Sequence, residues 1–217
     1  MTKKILAAGF LLCLSIVNSF AQDKDAGKLK NETVPVSVSY GIVVDNSGSY
    51  RLLLDGVVEA VKNIVNENKA ADETFLVRFV DTDKIYLSQD FTPDKNQIRD
   101  AADEMYIEGG KTAILDAIYF SAKHLSANAN TESNRRRALV LITDGEDRQS
   151  KVKLEEVLKF LKGEKIQVFS IGLSDEKVYT KLLDKLAKET NGRFFTPKNR
   201  AEIQTVIKEL TAVIRAQ

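Results

Sequence analysis

The stretch that decides the fold runs from residue 36 to residue 68, "VSVSYGIVVDNSGSYRLLLDGVVEAVKNIVNEN". It opens as a strand over 36–45, and the second half of that strand is the unbroken apolar run "YGIVV", which ends on Asp45. Such a run suits a strand covered on both faces rather than one with a wet side. A short polar loop, "DNSGS" (45–49), follows. From Tyr50 onward, Leu53, Val57, Ala60, Val61, Ile64 and Val65 recur at helical spacing. A buried strand, a tight loop and an amphipathic helix in direct succession form the first half of an α/β unit.

The same alternation continues to the end of the chain. "TFLVRFV" and "KIYLSQDF" read as strands joined only by "DTD" (81–83). That link is too short for a crossover, so the pair is antiparallel. "TPDKNQIRDAADEM" reads as a helix with Thr92 as N-cap and Pro93 at its first position. "TAILDAIYFSAKHL" (112–125) is the next helix and "RALVLITD" (137–144) the next strand. "KVKLEEVLKFLKG" ends on Gly163 as C-cap. Strand "QVFSIGL", helix "KVYTKLLDKLAKETNG", short strand "RFFTP" and helix "NRAEIQTVIKELTAVIRA" close the chain. The expected fold class is α/β: a doubly wound, mostly parallel sheet with one antiparallel edge strand and helices on both faces.

The start of the chain has a different character. "MTKK" is basic, "ILAAGFLLCLSIV" is a short apolar core, and "NSFAQ" carries small residues at Ser19 and Ala21. This pattern predicts a secretory signal peptide over 1–21, cleaved after Ala21, and hence a secreted or periplasmic protein. The apolar core is shorter than the ~18 residues of a membrane span, so no transmembrane segment is expected after cleavage. Cys13 lies inside that core behind Leu12, which disfavours lipid attachment. It is the only cysteine, so the mature protein would be held together without disulfides. Residues 22–33 read as a flexible polar lead-in, and 34–217 as one domain. With 32 basic and 31 acidic residues, no tryptophan and few aromatics, the composition argues against nucleic acid as a partner.

Three loops carry the chemistry. In open α/β sheets ligands sit beyond the carboxyl ends of the strands. Asp45, Ser47 and Ser49 follow the first strand, Thr112 follows "GGK" at the start of a helix, and Asp144 ends "LVLITD". Two carboxylates and three hydroxyls converge there if the first strand and the one ending at Asp144 are neighbours. Hard oxygen donors without a His/Cys cluster suit Mg²⁺ or Mn²⁺ rather than zinc.

These residues resemble the von Willebrand factor type A domain with its metal-ion-dependent adhesion site, recognised by Asp-x-Ser-x-Ser, a distant Thr and a distant Asp. The likeness is nearest to bacterial exported type A domains carrying "VVDNSGS", "GGKTAILDAI" and "LVLITDGED", and it spans almost all of the chain from Val36 onward. It implies that Asp45, Ser47, Ser49, Thr112 and Asp144 hold the metal, with one carboxylate acting through a water. It also implies a protein partner that presents an Asp or Glu carboxylate, in adhesion or scaffolding and not in catalysis. Tyr50 departs from the family's usual methionine and bears on the rim. At ~4 Å and an effective dielectric of 20, a partner carboxylate would gain about 4 kcal/mol per unit charge of the site.

Several competing readings are weaker. "DNSGS" alone is also an N-cap for the following helix. "GGKT" ends like a phosphate-binding loop, but the motif needs glycine where Met105 stands, and the loop follows a helix instead of a strand. A metal hydrolase would want a positioned base, and the one histidine, His124, reads as structural. A structural exported domain with an unused site remains the alternative. Asp81 and Asp83 resemble a calcium clip but fit a hairpin turn. Arg135–Arg137 read as a solvated charge run, Glu146 and Asp147 as rim residues open to a partner, and Asp116 as a possible support for Thr112.

Overall fold

Strand β1 (Val38–Asp45) is buried along its whole length and lies at the centre of a six-stranded sheet. The structure, a computed structural model, describes residues 36–48, 53–132, 135–174 and 177–216; the side chain of Arg200 is not among what is described. The expected signal peptide and lead-in, together with Ser49 and Tyr50, lie outside these residues. Along the chain β1 is followed by α1 (Leu54–Asn66), β2 (Glu73–Phe79), β3 (Ile85–Thr92), α2 (Lys95–Asp103) and α3 (Ile114–Asn128). Then come β4 (Arg136–Thr143), α4 (Leu154–Gly163), β5 (Ile166–Gly172), α5 (Thr180–Glu189), β6 (Phe194–Phe195) and α6 (Arg200–Arg215).

The sheet order is β3-β2-β1-β4-β5-β6. All neighbours are parallel except β2 and β3, which pair antiparallel across the 81–83 turn. Side chains of the central strands alternate between two cores, as the period of two requires. Tyr40, Ile42 and Val44 face the core shared with α1, α2 and α6. Val43, with Leu139 and Leu141 of β4, faces the core shared with α3, α4 and α5. Gly41 stands opposite Phe75 in the register, and a Cβ there would lie 2.1 Å from the Phe75 ring. The missing side chain gives that ring its place in the core. The doubly covered, mostly parallel sheet expected from the sequence is the observed one.

Three local expectations need correction. Thr92 does not cap α2. It ends β3 opposite Thr74, and Asp94 is the cap, accepting from the Asn96 N–H at 2.9 Å. Pro93 therefore precedes the cap and does not open the helix. Gly163 is the last residue of α4, not its cap; Glu164 follows as C-cap, and the left-handed position falls on Lys165 at φ 54°. The Arg135–Arg137 run is not simply solvated. The Arg135 side chain is only 6% exposed, and its guanidinium donates to the carbonyls of Ala71 at 2.6 Å and Val38 at 3.3 Å. It fastens the start of β4 to the segments beside it.

His124 is structural, but it does have a partner. Its Nε2 lies 2.9 Å from Asp90 Oδ1, and its ring stacks on Phe91 and meets Phe75 edge-on. Asp81 and Asp83 form the hairpin turn, with the Asp83 and Lys84 N–H groups donating to the Asp81 side chain and carbonyl.

Candidate metal centre

The position of the candidate site follows from the sheet order. The chain runs outward in one direction from β1 through β2 to β3 and in the other from β4 to β6, so β1 and β4 flank the switch point. In such sheets the crevice beyond the carboxyl ends at that point is where ligands bind. β1 and β4 run parallel with Val44 beside Ile142, so Asp45 and the Thr143–Asp144 pair leave the sheet side by side.

Asp45 is 1% exposed. Its Oδ2 accepts from the Thr143 hydroxyl at 2.7 Å and its Oδ1 from the Ser47 N–H at 3.0 Å. Burial pushes its carboxyl up to about 6, and the charge of Asp144 adds to the shift; the Thr143 and Ser47 hydrogen bonds oppose it. Ser47 is also buried, and the Thr112 hydroxyl donates to its Oγ at 3.4 Å. Asp144 is largely buried, with Oδ1 accepting from the Glu146 N–H at 3.0 Å. Among the described residues neither Asp45 nor Asp144 takes part in an ion pair. Buried carboxylates are ordinarily paired, metal-bound or protonated.

Four of the five residues expected at the site, Asp45, Ser47, Thr112 and Asp144, thus end on one edge of the sheet; Ser49 lies outside the described residues. Their chemistry fits a hard divalent cation: carboxylate and hydroxyl oxygens, and no nitrogen or sulfur. Among the described residues no group of three or more His, Cys, Asp or Glu side chains is arranged to hold a metal. The donor set depends on its hydroxyls.

Other residues hold these donors in place, and local patterns did not single them out. Thr143 fixes the Asp45 carboxylate, and its Oγ1 also accepts from the Gly145 N–H at 3.2 Å. Asn46 is fully buried. Its N–H donates to the Phe79 carbonyl at 2.8 Å, its carbonyl accepts from the Glu108 N–H at 3.0 Å, and its amide donates to the Tyr106 carbonyl. The first loop is thereby tied to the segment leading to Thr112. The only hint in the sequence was placement, Asn46 within "DNSGS" and Thr143 before Asp144.

The Thr112 carbonyl accepts from the N–H groups of Arg148 at 2.8 Å and Gln149 at 3.1 Å, joining the second loop to the third. Asp147 is not a free rim residue. Its Oδ1 accepts from the Ile114 N–H at 2.9 Å and the Ser150 hydroxyl at 2.6 Å, so it caps α3 from another loop. Asp116 accepts from the N–H groups of Lys151 and Val152 and from the Thr82 hydroxyl. It supports the third loop and not the Thr112 hydroxyl.

Residues 41–209 match the family model for the von Willebrand factor type A domain. The chain belongs to this family. A curated relative of the type A domain is human inter-alpha-trypsin inhibitor heavy chain H2, 26% identical over 169 residues. That alignment covers 73% of this chain, which spans 18% of the length of the human protein. Among solved structures, an aerotolerance-related membrane protein of Bacteroides fragilis is 20% identical with a TM-score of 0.66, covering 81% of this chain and 99% of that one. The vWF domain of the type V pili tip protein Mfa5 of Porphyromonas gingivalis is 12% identical with a TM-score of 0.68, covering 83% and 96%. At these identities the structural likeness carries the fold alone. Among the described residues of this type A domain no helix is long and apolar enough to cross a membrane.

Proposed function

We propose that this type A domain is an exported protein-binding module that holds Mg²⁺ or Mn²⁺ through Asp45, Ser47, Ser49, Thr112 and Asp144. In this reading it captures an Asp or Glu carboxylate of a protein partner, in adhesion or scaffolding. The observation that carries the proposal is the Asp45 carboxylate, buried beside the charge of Asp144 with hydroxyls within reach and, among the described residues, no cationic side chain paired to it. When bound, the ion supplies an open coordination position for a carboxylate oxygen. Asp45 and Asp144 bring at most two negative charges, and Ser47, Ser49 and Thr112 bring none. Thr143 and the Ser47 N–H hold the Asp45 oxygens in fixed directions, while Asn46 keeps the first loop against the second.

Export is read from the leader over residues 1–21. A binding role is favoured over a catalytic one because a hydrolytic site needs a positioned base. The single histidine is engaged by Asp90, Phe75 and Phe91. Calorimetric titration of Mg²⁺ into the wild type, Asp45→Ala and Asp144→Ala tests the metal reading. Capture of surface proteins in Mg²⁺ and in EDTA tests the partner reading. Heat of binding in the wild type alone, with EDTA-sensitive capture, is the expected result; equal titrations in all three proteins would refute the assignment of ligands.

A further inference from the structure

The charges around the carboxyl edge of the sheet are unevenly distributed. On one flank, a cavity of about 560 Å³ opens between the loop after β4 and the start of α5. Leu154, Val178 and Leu182 line it and pack in part against the core beneath. Lys177, Lys181 and Lys185 line it as well; Lys181 and Lys185 lie one turn apart on α5, and Lys177 precedes the helix. Among the described residues none of the three lysines is in an ion pair. The acids nearby are already engaged. Glu146 pairs with Arg148, Asp147 caps α3, and Asp184 pairs with Lys188 at 2.8 Å. Asp175 and Glu176 lie outside the described residues. On the opposite flank, the groove beside α1 carries Asp55 and Glu59 together with Lys198.

The basic groove adjoins the candidate metal centre through backbone. The Tyr179 N–H donates to the Asp144 carbonyl at 2.6 Å. Gly145 has φ +87°, and a Cβ there would lie 2.3 Å from the Tyr179 carbonyl oxygen. The wall of the groove and the loop of the site therefore touch through backbone, with no side chain between them. Tyr179 itself is 37% exposed, and the Lys177 ammonium lies 4.8 Å from its ring centroid.

We propose that this groove selects the partner: it receives an acidic peptide segment that flanks the captured carboxylate. An apolar side chain of that segment rests over Leu154, Val178 and Leu182, and further carboxylates face Lys177, Lys181 and Lys185. The inference rests on the reading that the neighbouring site binds a metal and a carboxylate. Charge complementarity carries it: three lysines without an ion pair among the described residues rim an apolar floor beside the proposed anion-capturing site, while the other flank carries Asp55 and Glu59 with the single Lys198. A partner with basic residues beside its capturing carboxylate would be rejected.

The test uses fluorescence anisotropy with two end-blocked, labelled peptides in Mg²⁺. Both carry one Glu followed by Leu; one continues with three Glu and the other with three Lys. The wild type should prefer the acidic peptide, and the combined Lys177→Glu, Lys181→Glu and Lys185→Glu variant should weaken its binding by about tenfold or more, as three exposed ion pairs predict. Reversing three lysines elsewhere, Lys69→Glu, Lys165→Glu and Lys208→Glu, should change it far less. Undetectable or equal binding of the two peptides to the wild type overturns the proposal, and so does an equal loss in the two triple variants. Thermal stabilisation by Mg²⁺, measured on the same proteins, separates the two readings. Its absence from the wild type refutes the metal site, whereas its persistence without charge preference refutes the groove alone.

Discussion

Replacing Asp45 by Asn should stabilise the metal-free protein. The Asp45 carboxyl is pushed from 3.8 up to about 6, chiefly by burial. The folded state therefore holds this proton more tightly than the unfolded chain. Below the unfolded value both states are protonated and the group contributes nothing. As pH rises from 3.8 to about 6 the unfolded chain ionises first, so stability falls; above that window the loss is complete and constant. The shift corresponds to about 3 kcal/mol at neutral pH. Asn removes the charge but also one acceptor, from either Thr143 or the Ser47 N–H, which costs about 1 kcal/mol. The net gain of about 2 kcal/mol should raise the melting temperature by roughly 4–8 °C in EDTA at pH 7. Mg²⁺ at a hundredfold excess over its dissociation constant should restore about 2.7 kcal/mol to the wild type and nothing to the variant. Urea denaturation of both proteins in EDTA, from pH 4 to 8, measures the difference directly. A difference that stays flat between pH 4 and 6, or an Asn variant less stable than wild type at pH 7, would refute the reasoning.

Other perturbations separate the scaffold from the site. Asp72 is fully buried, pairs with Arg215 of α6 and accepts from the Val38 and Lys69 N–H groups, so Asp72→Ala should cost about 3–5 kcal/mol in urea denaturation. Gly145→Ala adds a Cβ 2.3 Å from the Tyr179 carbonyl at a φ of +87°; it should cost about 1–3 kcal/mol and reduce the Mg²⁺-induced rise in melting temperature. Thr112→Val removes a hydroxyl whose one described bond is a 3.4 Å contact with Ser47, so its stability cost in EDTA should stay below about 1 kcal/mol. The same variant should lose most Mg²⁺-dependent partner binding, read by surface plasmon resonance in Mg²⁺ and in EDTA.

The architecture was legible because each element carries its own period. β1 is buried throughout, and α1 buries Val57, Ala60, Val61, Ile64 and Val65, five of the six residues its spacing selected; the sixth, Leu53, is half-buried at the N-cap, where the helix expected from Tyr50 has not yet begun. The errors fall where two local rules compete or where distant chain decides. In "TPDK" both Thr92 and Asp94 are able to cap, and the rule for proline at the first helical position favours Thr92. The antiparallel ladder to β2 claims Thr92 instead, and its hydroxyl accepts from the Asp94 N–H at 3.0 Å. Arg135 looks solvated within "RRR" because its acceptors, the carbonyls of Val38 and Ala71, are 97 and 64 residues away.

The candidate site divides along the same line. Asp45, Ser47, Thr112 and Asp144 were recognisable because each stands at a strand end or loop, and the sheet order brings three of those loops together. The fate of Asp116 and Asp147 was hidden, because their backbone partners belong to other segments of the chain. Of the acids on and beside these loops, Asp116 is taken by the Lys151 and Val152 N–H groups and Asp147 by Ile114, while Glu146 is taken by Arg148 and Glu108 by Lys84 and Arg78. Among the described residues Asp45 and Asp144 are the two held neither by the backbone of another element nor by an ion pair: each accepts the N–H two residues on, from Ser47 and from Glu146, Asp45 also takes the Thr143 hydroxyl, and Asp144 Oδ2 accepts no hydrogen bond. That allocation limits the charge available to a bound cation. If Asp116 or Asp147 also turned inward, three or four carboxylates would over-neutralise a divalent ion and remove its attraction for a carboxylate from outside. The backbone bonds that hold Asp116 and Asp147 away from the centre are, in this view, as necessary to capture as the donors themselves.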